Sequence, residues 1–357
     1  MGIRYDRNLG RATNGPLIFF SDPSSQEAVA EEIRGAIVSG LSFYCYRSPG
    51  SPMISFGSSE RYVEGIEEGF VIGSFSHDFP LLSIPYRNSK KPTAITESYE
   101  MPESSTTYEE YSSEVEGIIR DLKGNRDSKV VAARVIVKEE SLEPAKLFFE
   151  LSSKFPESFI FCFSTPATGC WIGASPELLL EGKKQTLYTM ALAGTRRKGE
   201  DTPWDDKNIK EQGIVTDYIR NVFRLYDKDV EEGELFNRVT GNLEHLCTPI
   251  SVEWENIDKL TLEEIIRTLS PTPALCGNPK EFALEEIKKC EKFDRGCYGG
   301  FCGPFHSLNE FTFNVVLRCA SFSQKKYCIY VGGGITYKSQ VEAEWIETEM
   351  KMKNTFG

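Results

Sequence analysis

The sequence predicts an α+β protein. Two long strand-like runs, NEFTFNVVLRCASF (309–322) and KKYCIYVGGG (325–334), follow each other closely enough to pair antiparallel. Amphipathic helical patterns stand apart from them, and no regular strand–helix–strand alternation runs through the chain. With 357 residues, 40% hydrophobic and 26% charged, the chain buries a large core as a globular protein.

Residues 26–39 have helical spacing and stop at Gly40. LSFYCYR, SPMISFGSS, FVIGSFS and LLSIPYR, between residues 41 and 87, read as short strands divided by Gly and Pro. Residues 88–105 are polar, interrupted by proline and too poor in aromatics for a core, so they read as a linker or mobile loop. Tyr108, Tyr111, Val115, Ile118 and Leu122 then mark one face of a helix closed by Gly124. From Ser128 the chain changes character. SKVVAARVIV is a near-continuous apolar strand entered through Lys129, PAKLFFELSSKF a short helix, and ESFIFCFS another strand. CWIGASPELLLEG and QTLYTMALAGTRR read as neighbouring strands with a turn at residues 181–184. Residues 202–226 form a long helix with a stripe of Ile214, Tyr218, Ile219, Val222 and Phe223. Helices near 260–269 and 279–293 frame the loop SPTPALCGNP, and a last helical pattern follows GGGI. There is no internal repeat.

A formal charge of −12 argues against nucleic acid or an anionic membrane as partner. It also makes any anionic substrate depend on a local cluster of cations or on a metal. No apolar run approaches the roughly 20 residues of a spanning helix, and MGIRYDRNLG lacks a signal-like core. The ten cysteines have no CxxC spacing and there are only three histidines, which disfavours zinc. Cysteines inside FIFCF, VVLRCA and KYCIYV read as buried thiols of a reducing cytoplasm.

Chemistry is concentrated in a few places. Glu344, Glu347 and Lys351, at steps of three and four, project from one face of the last helix. Such a face is ordinarily a solvated ion pair. Asn208 and Glu211 sit at the same spacing near the start of the long helix, and carboxylates from two helices make an oxygen-only set suited to Mg²⁺. Lys129 opens an apolar strand; lysines there usually reach solvent, but a buried one with a depressed pKa can act as a base. Glu177, after Pro176 and between GAS and LLL, is a turn residue whose burial would let it donate a proton. Gly194 and Thr195 in ALAGTRR, YGGFCGP and GGGI allow close backbone approach, yet none matches a nucleotide-binding fingerprint. Arg318 is a cation inside the apolar run VVLRCA, a place that calls for a carboxylate of protein or ligand.

Taken in order, KVVAAR (129–134), GASPELLL (173–180), LAGTR (192–196), HLCTP (245–249), LSPTPALCG (269–277), FDRGCYGG (293–300), VVLRCA (315–320), GGGI and EWIETEMK (344–351) resemble the chorismate-utilising enzymes. That family includes isochorismate, salicylate, anthranilate and aminodeoxychorismate synthases. The resemblance implies a single large domain over 1–357 of two packed antiparallel sheets with flanking helices. Within it, 1–105 is a divergent, shortened N-terminal part and 128–357 the family-like catalytic part. It implies Mg²⁺ between Glu211 and Glu347, with Glu344 close by, holding the ring carboxylate of chorismate. Arg318 and Tyr298 would take the enolpyruvyl carboxylate, Gly332 and Lys351 would help with the carboxylates, and Gly194, Thr195 and His245 would line the ring. Ala274 and Leu275 would form an apolar wall.

Lysine at 129 resembles the water-using members, whereas the anthranilate type has glutamine there. The aminodeoxychorismate type has lysine at the position of Ala193. The pattern therefore implies an isochorismate synthase, with Lys129 activating water for attack at C2 and Glu177 protonating the departing C4 hydroxyl. Salicylate synthase, which goes on to eliminate pyruvate, shares the pair and is the alternative; a non-catalytic acidic binding protein is the competing class. A cytoplasmic monomer with no glutamine amidotransferase partner is expected, and product use in menaquinone or siderophore synthesis stays open. Departures from the family pattern are Asn208 for a common acid, Gln212 for a frequent histidine, GGGI for GAGI, and a short 197–205 segment.

Overall fold

A computed structural model describes residues 4–6, 11–13, 18–19, 23–76, 80–87, 98–200, 202–241 and 243–357. Among them are seven helices: α1 (Pro23–Val38), α2 (Tyr108–Leu122), α3 (Pro144–Lys154), α4 (Asp206–Arg224), α5 (Lys259–Leu269), α6 (Lys280–Cys290) and α7 (Val341–Phe356). Each expected helix is present. α2 owes its start to a capping box in which Thr107 and Glu110 satisfy each other's backbone N–H groups.

Two large antiparallel sheets carry the fold. One centres on Lys129–Lys138, Tyr327–Ile335, Cys319–Phe322, Gly169–Ser175, Phe159–Thr165 and Ser42–Arg47, in that spatial order. The other runs Leu243–Glu253, Thr186–Arg197, Leu178–Lys183, Glu310–Val315, Phe301–Ser307, Gly69–Gly73 and Leu82–Pro85. The N-terminal strands Ser42–Arg47 and Gly69–Gly73 are thus bonded into the same sheets as the C-terminal part. The main core includes Phe159, Phe161, Phe163, Trp171 and Tyr330 from the first sheet with Phe70, Leu180, Phe301, Phe311 and Phe313 from the second. Burying each such ring contributes roughly 2–3 kcal/mol. A second cluster joins the first sheet to α1 and α3, and a third joins it to α2 and α6.

Two expected strands are each split between the sheets. CWIGASPELLLEG becomes Gly169–Ser175 in one sheet and Leu178–Lys183 in the other, broken at Pro176 and Glu177. NEFTFNVVLRCASF becomes Glu310–Val315 and Cys319–Phe322, broken at residues 316–318. The two crossings lie together: Val315 N–H donates to Glu177 O at 3.0 Å, and Ala174 N–H donates to Arg318 O at 3.2 Å. Arg318 is therefore in a sheet-to-sheet crossing and not inside a strand, and its φ of 47° is left-handed. That conformation costs a non-glycine residue about 1 kcal/mol, and such residues gather at functional sites.

Smaller differences concern single segments. Strands Leu243–Glu253 and Phe301–Ser307 were not expected, since Pro249, Gly303 and Pro304 obscure their patterns. In α4, Val215 and Thr216 are buried, whereas Ile214 and Tyr218 are half-buried. Of the polar stretch 88–105, residues 88–97 lie outside the described residues, as does His77. The remainder is irregular but not detached: Tyr99 packs on Trp171 with ring centroids 5.3 Å apart, and Met101 also joins the core.

Candidate active site

One cavity of about 1010 Å³ gathers the chemistry. Lys129, Glu177, Gly194, Thr195, Glu211, His245, Ala274, Leu275, Tyr298, Arg318, Gly332, Glu344, Glu347 and Lys351 all border it. They come from both sheets, both crossings, the loop after α5, and helices α4 and α7.

Glu177 sits at the crossing, buried, where desolvation raises its carboxyl to about 7. The hydroxyl of Thr272, donating to Oε1 at 3.1 Å, and the charge of Lys129 oppose the rise. A carboxylic acid that keeps its proton near neutrality is a proton donor. Lys129, at the first position of its strand, pairs through Nζ with Glu211 Oε1. Its side chain lies over Gly334 on the neighbouring strand, where a Cβ would run into Lys129 Cε. That ion pair anchors the amine on the cavity wall beside α4.

His245 shows its tautomer through its partners. Arg318 can only donate, so Nε2, 3.3 Å from its guanidinium, is an acceptor. Nδ1 then carries the hydrogen, with Gly194 O at 3.2 Å and Thr195 Oγ1 at 3.1 Å. Burial and the charge of Arg318 push the imidazole down to about 4, so it is neutral at physiological pH. Desolvation lowers Arg318 to about 10, and among the described residues no carboxylate pairs with it. Among the described residues a protein ion pair for Arg318 is thereby set aside. Tyr298, buried in the cavity wall, stacks on Tyr330 with centroids 5.6 Å apart, and burial raises its phenol.

The bulge at Gly194 and Thr195 is held by Asn208. Its Oδ1 accepts from Thr195 N–H at 3.2 Å, and its Nδ2 donates to Asp205 Oδ1 at 2.7 Å. An ionised aspartate at 208 would accept at both places and repel Asp205, which gives the asparagine a physical reason. Gln212, one residue beyond Glu211, fastens α4 to the sheet through Ala191 O and Thr248 Oγ1. Buried Arg295, which sequence reading missed, pairs with Glu291 and donates to Leu275 O and Val131 O at 2.8 and 2.7 Å. It thereby fixes the apolar wall against the strand of Lys129.

On α7, Lys351 Nζ donates to Gly332 O and pairs with Glu347 Oε1, each at 2.8 Å. Glu344 is buried, and its Oε2 and Glu347 Oε1 would stand 3.4 and 3.9 Å from a Cβ on Gly333. The phenol oxygen of Tyr111 is buried against the same point and has no hydrogen-bond partner among the described residues. Glu211, Glu344 and Glu347 are all-oxygen donors on one cavity, which fits a hard divalent ion. Among the described residues no three His, Cys, Asp or Glu side chains stand close enough together to hold a metal ion by themselves.

The profile of the chorismate-binding enzymes matches residues 81–356. The chain belongs to that family. It is 27% identical over 276 residues to the vibriobactin-specific isochorismate synthase of Vibrio cholerae, covering 74% of this chain and 70% of that protein. It is 30% identical over 246 residues to the isochorismate synthase EntC of Escherichia coli K12, covering 64% of this chain and 62% of that protein. Among solved structures, MenF, the menaquinone-specific isochorismate synthase from Escherichia coli, superposes with a TM-score of 0.74 over 89% of both chains. At 19% identity that likeness establishes the fold alone.

Proposed function

We propose that this chain is an isochorismate synthase, converting chorismate to isochorismate by adding water at C2 with loss of the C4 hydroxyl. The observation that carries the reading is Lys129 and the neutralised acid Glu177 facing one cavity with Arg318, a cation that among the described residues has no carboxylate partner. Lys129 takes a proton from the attacking water as the C2–O bond forms. The ring double bonds shift, the C4–O bond breaks, and Glu177 delivers its proton so that the hydroxyl leaves as water. Reversal exchanges the two roles, so the groups serve both directions.

Arg318 and Tyr298 hold the enolpyruvyl carboxylate, with Lys351 and the Gly332 backbone beside it. Neutral His245, Gly194 and Thr195 line the ring, and Ala274 and Leu275 keep that wall apolar. Glu211, Glu344 and Glu347 would hold Mg²⁺, whose charge would neutralise the ring carboxylate. Ala193, in place of an amine, supports water over a lysine nucleophile. None of the ten cysteines is in a disulfide, which supports a reducing cytoplasmic setting, and among the described residues no helix is long and apolar enough to cross a membrane. We expect a monomer that needs no ammonia-supplying subunit.

Chromatography of products from purified protein, chorismate and Mg²⁺ tests the reading. Isochorismate as principal product supports it. Salicylate with pyruvate would make the chain a salicylate synthase, an absolute need for ammonia would overturn both, and no consumption of chorismate would leave the acidic binding protein.

A further inference from the structure

We infer that Thr272 is a positioning residue for Glu177: it engages one carboxyl oxygen so that the other carries the proton towards the cavity. The inference rests on the proposed role of Glu177 as proton donor. Thr272 lies in the loop after α5 and does not border the cavity, whose wall here is Pro176, Glu177, Ala274 and Leu275. Its Oγ1 donates to Glu177 Oε1 at 3.1 Å. In a protonated carboxyl the carbonyl oxygen is the better acceptor, so a donor on Oε1 leaves the proton on Oε2.

Both ends of this contact are fixed. The Thr272 carbonyl accepts from Leu275 N–H at 2.8 Å and Cys276 N–H at 2.9 Å. Glu177 donates its N–H to Ser175 Oγ at 3.3 Å, and its carbonyl accepts from Ser175 Oγ at 3.2 Å and Val315 N–H at 3.0 Å. The remaining freedom of Glu177 is rotation of its side chain, and the hydroxyl of Thr272 restrains that rotation. The other titratable groups facing the carboxyl are Lys129 and Cys247, and neither donates a hydrogen bond to Oε1. The hydroxyl also stabilises the ionised carboxylate, so it lowers the pH at which the acid is spent, against the larger upward push of desolvation.

Thr272→Val removes the donor at nearly constant volume, Thr272→Ala is a second donor-less variant should valine disturb the fold, and Thr272→Ser keeps the hydroxyl. In the donor-less variants kcat is expected to fall on the order of tenfold, with KM within about twofold. The alkaline limb of the kcat–pH profile moves to higher pH, and serine restores both. Infrared titration of the Glu177 carboxyl band, assigned by its loss in Glu177→Gln, gives a readout independent of turnover. Its midpoint rises in the donor-less variants. Wild-type kcat and limb in those variants, or loss of turnover with an unmoved midpoint, overturns the inference. A wild-type enzyme that makes no isochorismate would refute the functional reading, while the infrared result still decides the Thr272–Glu177 contact.

Discussion

Glu177 holds its proton to about pH 7 in the folded protein and releases it from about 4.5 in an unfolded chain. Between those values the folded state binds more protons, so the contribution of this residue to stability falls as pH rises through the window. The loss is complete above about pH 7 and amounts to roughly 3 kcal/mol. Glu177→Gln removes the buried charge, so its melting temperature should exceed that of the wild type by a few degrees at pH 8 and converge at pH 4. Calorimetry at the two pH values checks this; equal melting temperatures at pH 8 would contradict the burial argument. The same variant, and Lys129→Ala, should each lose on the order of 10²- to 10⁴-fold in kcat, measured by chorismate turnover. For the wild type kcat should decline above about pH 7, where Glu177 is ionised. Neutral His245 contributes no limb between pH 5 and 8. Much of this chemistry was legible in single residues, because an acid between GAS and LLL and an arginine in VVLRCA are out of place in apolar surroundings. The reason for Asn208 was not, since its two partners come from different turns of chain.

At the scale of elements, the decisive feature is the pair of crossings at Glu177 and Arg318. Both runs stay apolar on either side of the break because both sheets bury the flanking residues, so the period gives no sign of a change of sheet. Only the backbone reveals it, through the left-handed Arg318 and the shared hydrogen bonds. The strand carrying Lys129 depends in turn on its neighbour. A methyl on Gly334 would meet the flexible end of Lys129 and not backbone. Gly334→Ala should therefore fold, by circular dichroism and melting temperature, yet lose at least tenfold in kcat through displacement of the amine. Retention of full activity would show that the amine does not work from this position.

On the whole-molecule scale, the net charge of −12 contrasts with a cavity where Arg318, Lys129 and Lys351 gather among carboxylates. The closing helix showed in the sequence as an i, i+3, i+7 face, and α7 and α4 indeed border one cavity. That shared lining could not be read from periodicity, because helix faces say what is polar and not what they approach; the ordered family motifs pointed to it. If Glu211, Glu344 and Glu347 hold Mg²⁺, a millimolar concentration should raise the melting temperature of the wild type, and Glu211→Ala or Glu347→Ala should abolish the rise. An equal rise in those variants would move the metal elsewhere.

The central claim, attack by water at C2, is tested most directly by running the reaction in H₂¹⁸O and analysing the product by mass spectrometry. The account predicts isochorismate carrying one heavy oxygen, at the C2 hydroxyl. Product that carries no heavy oxygen would contradict it.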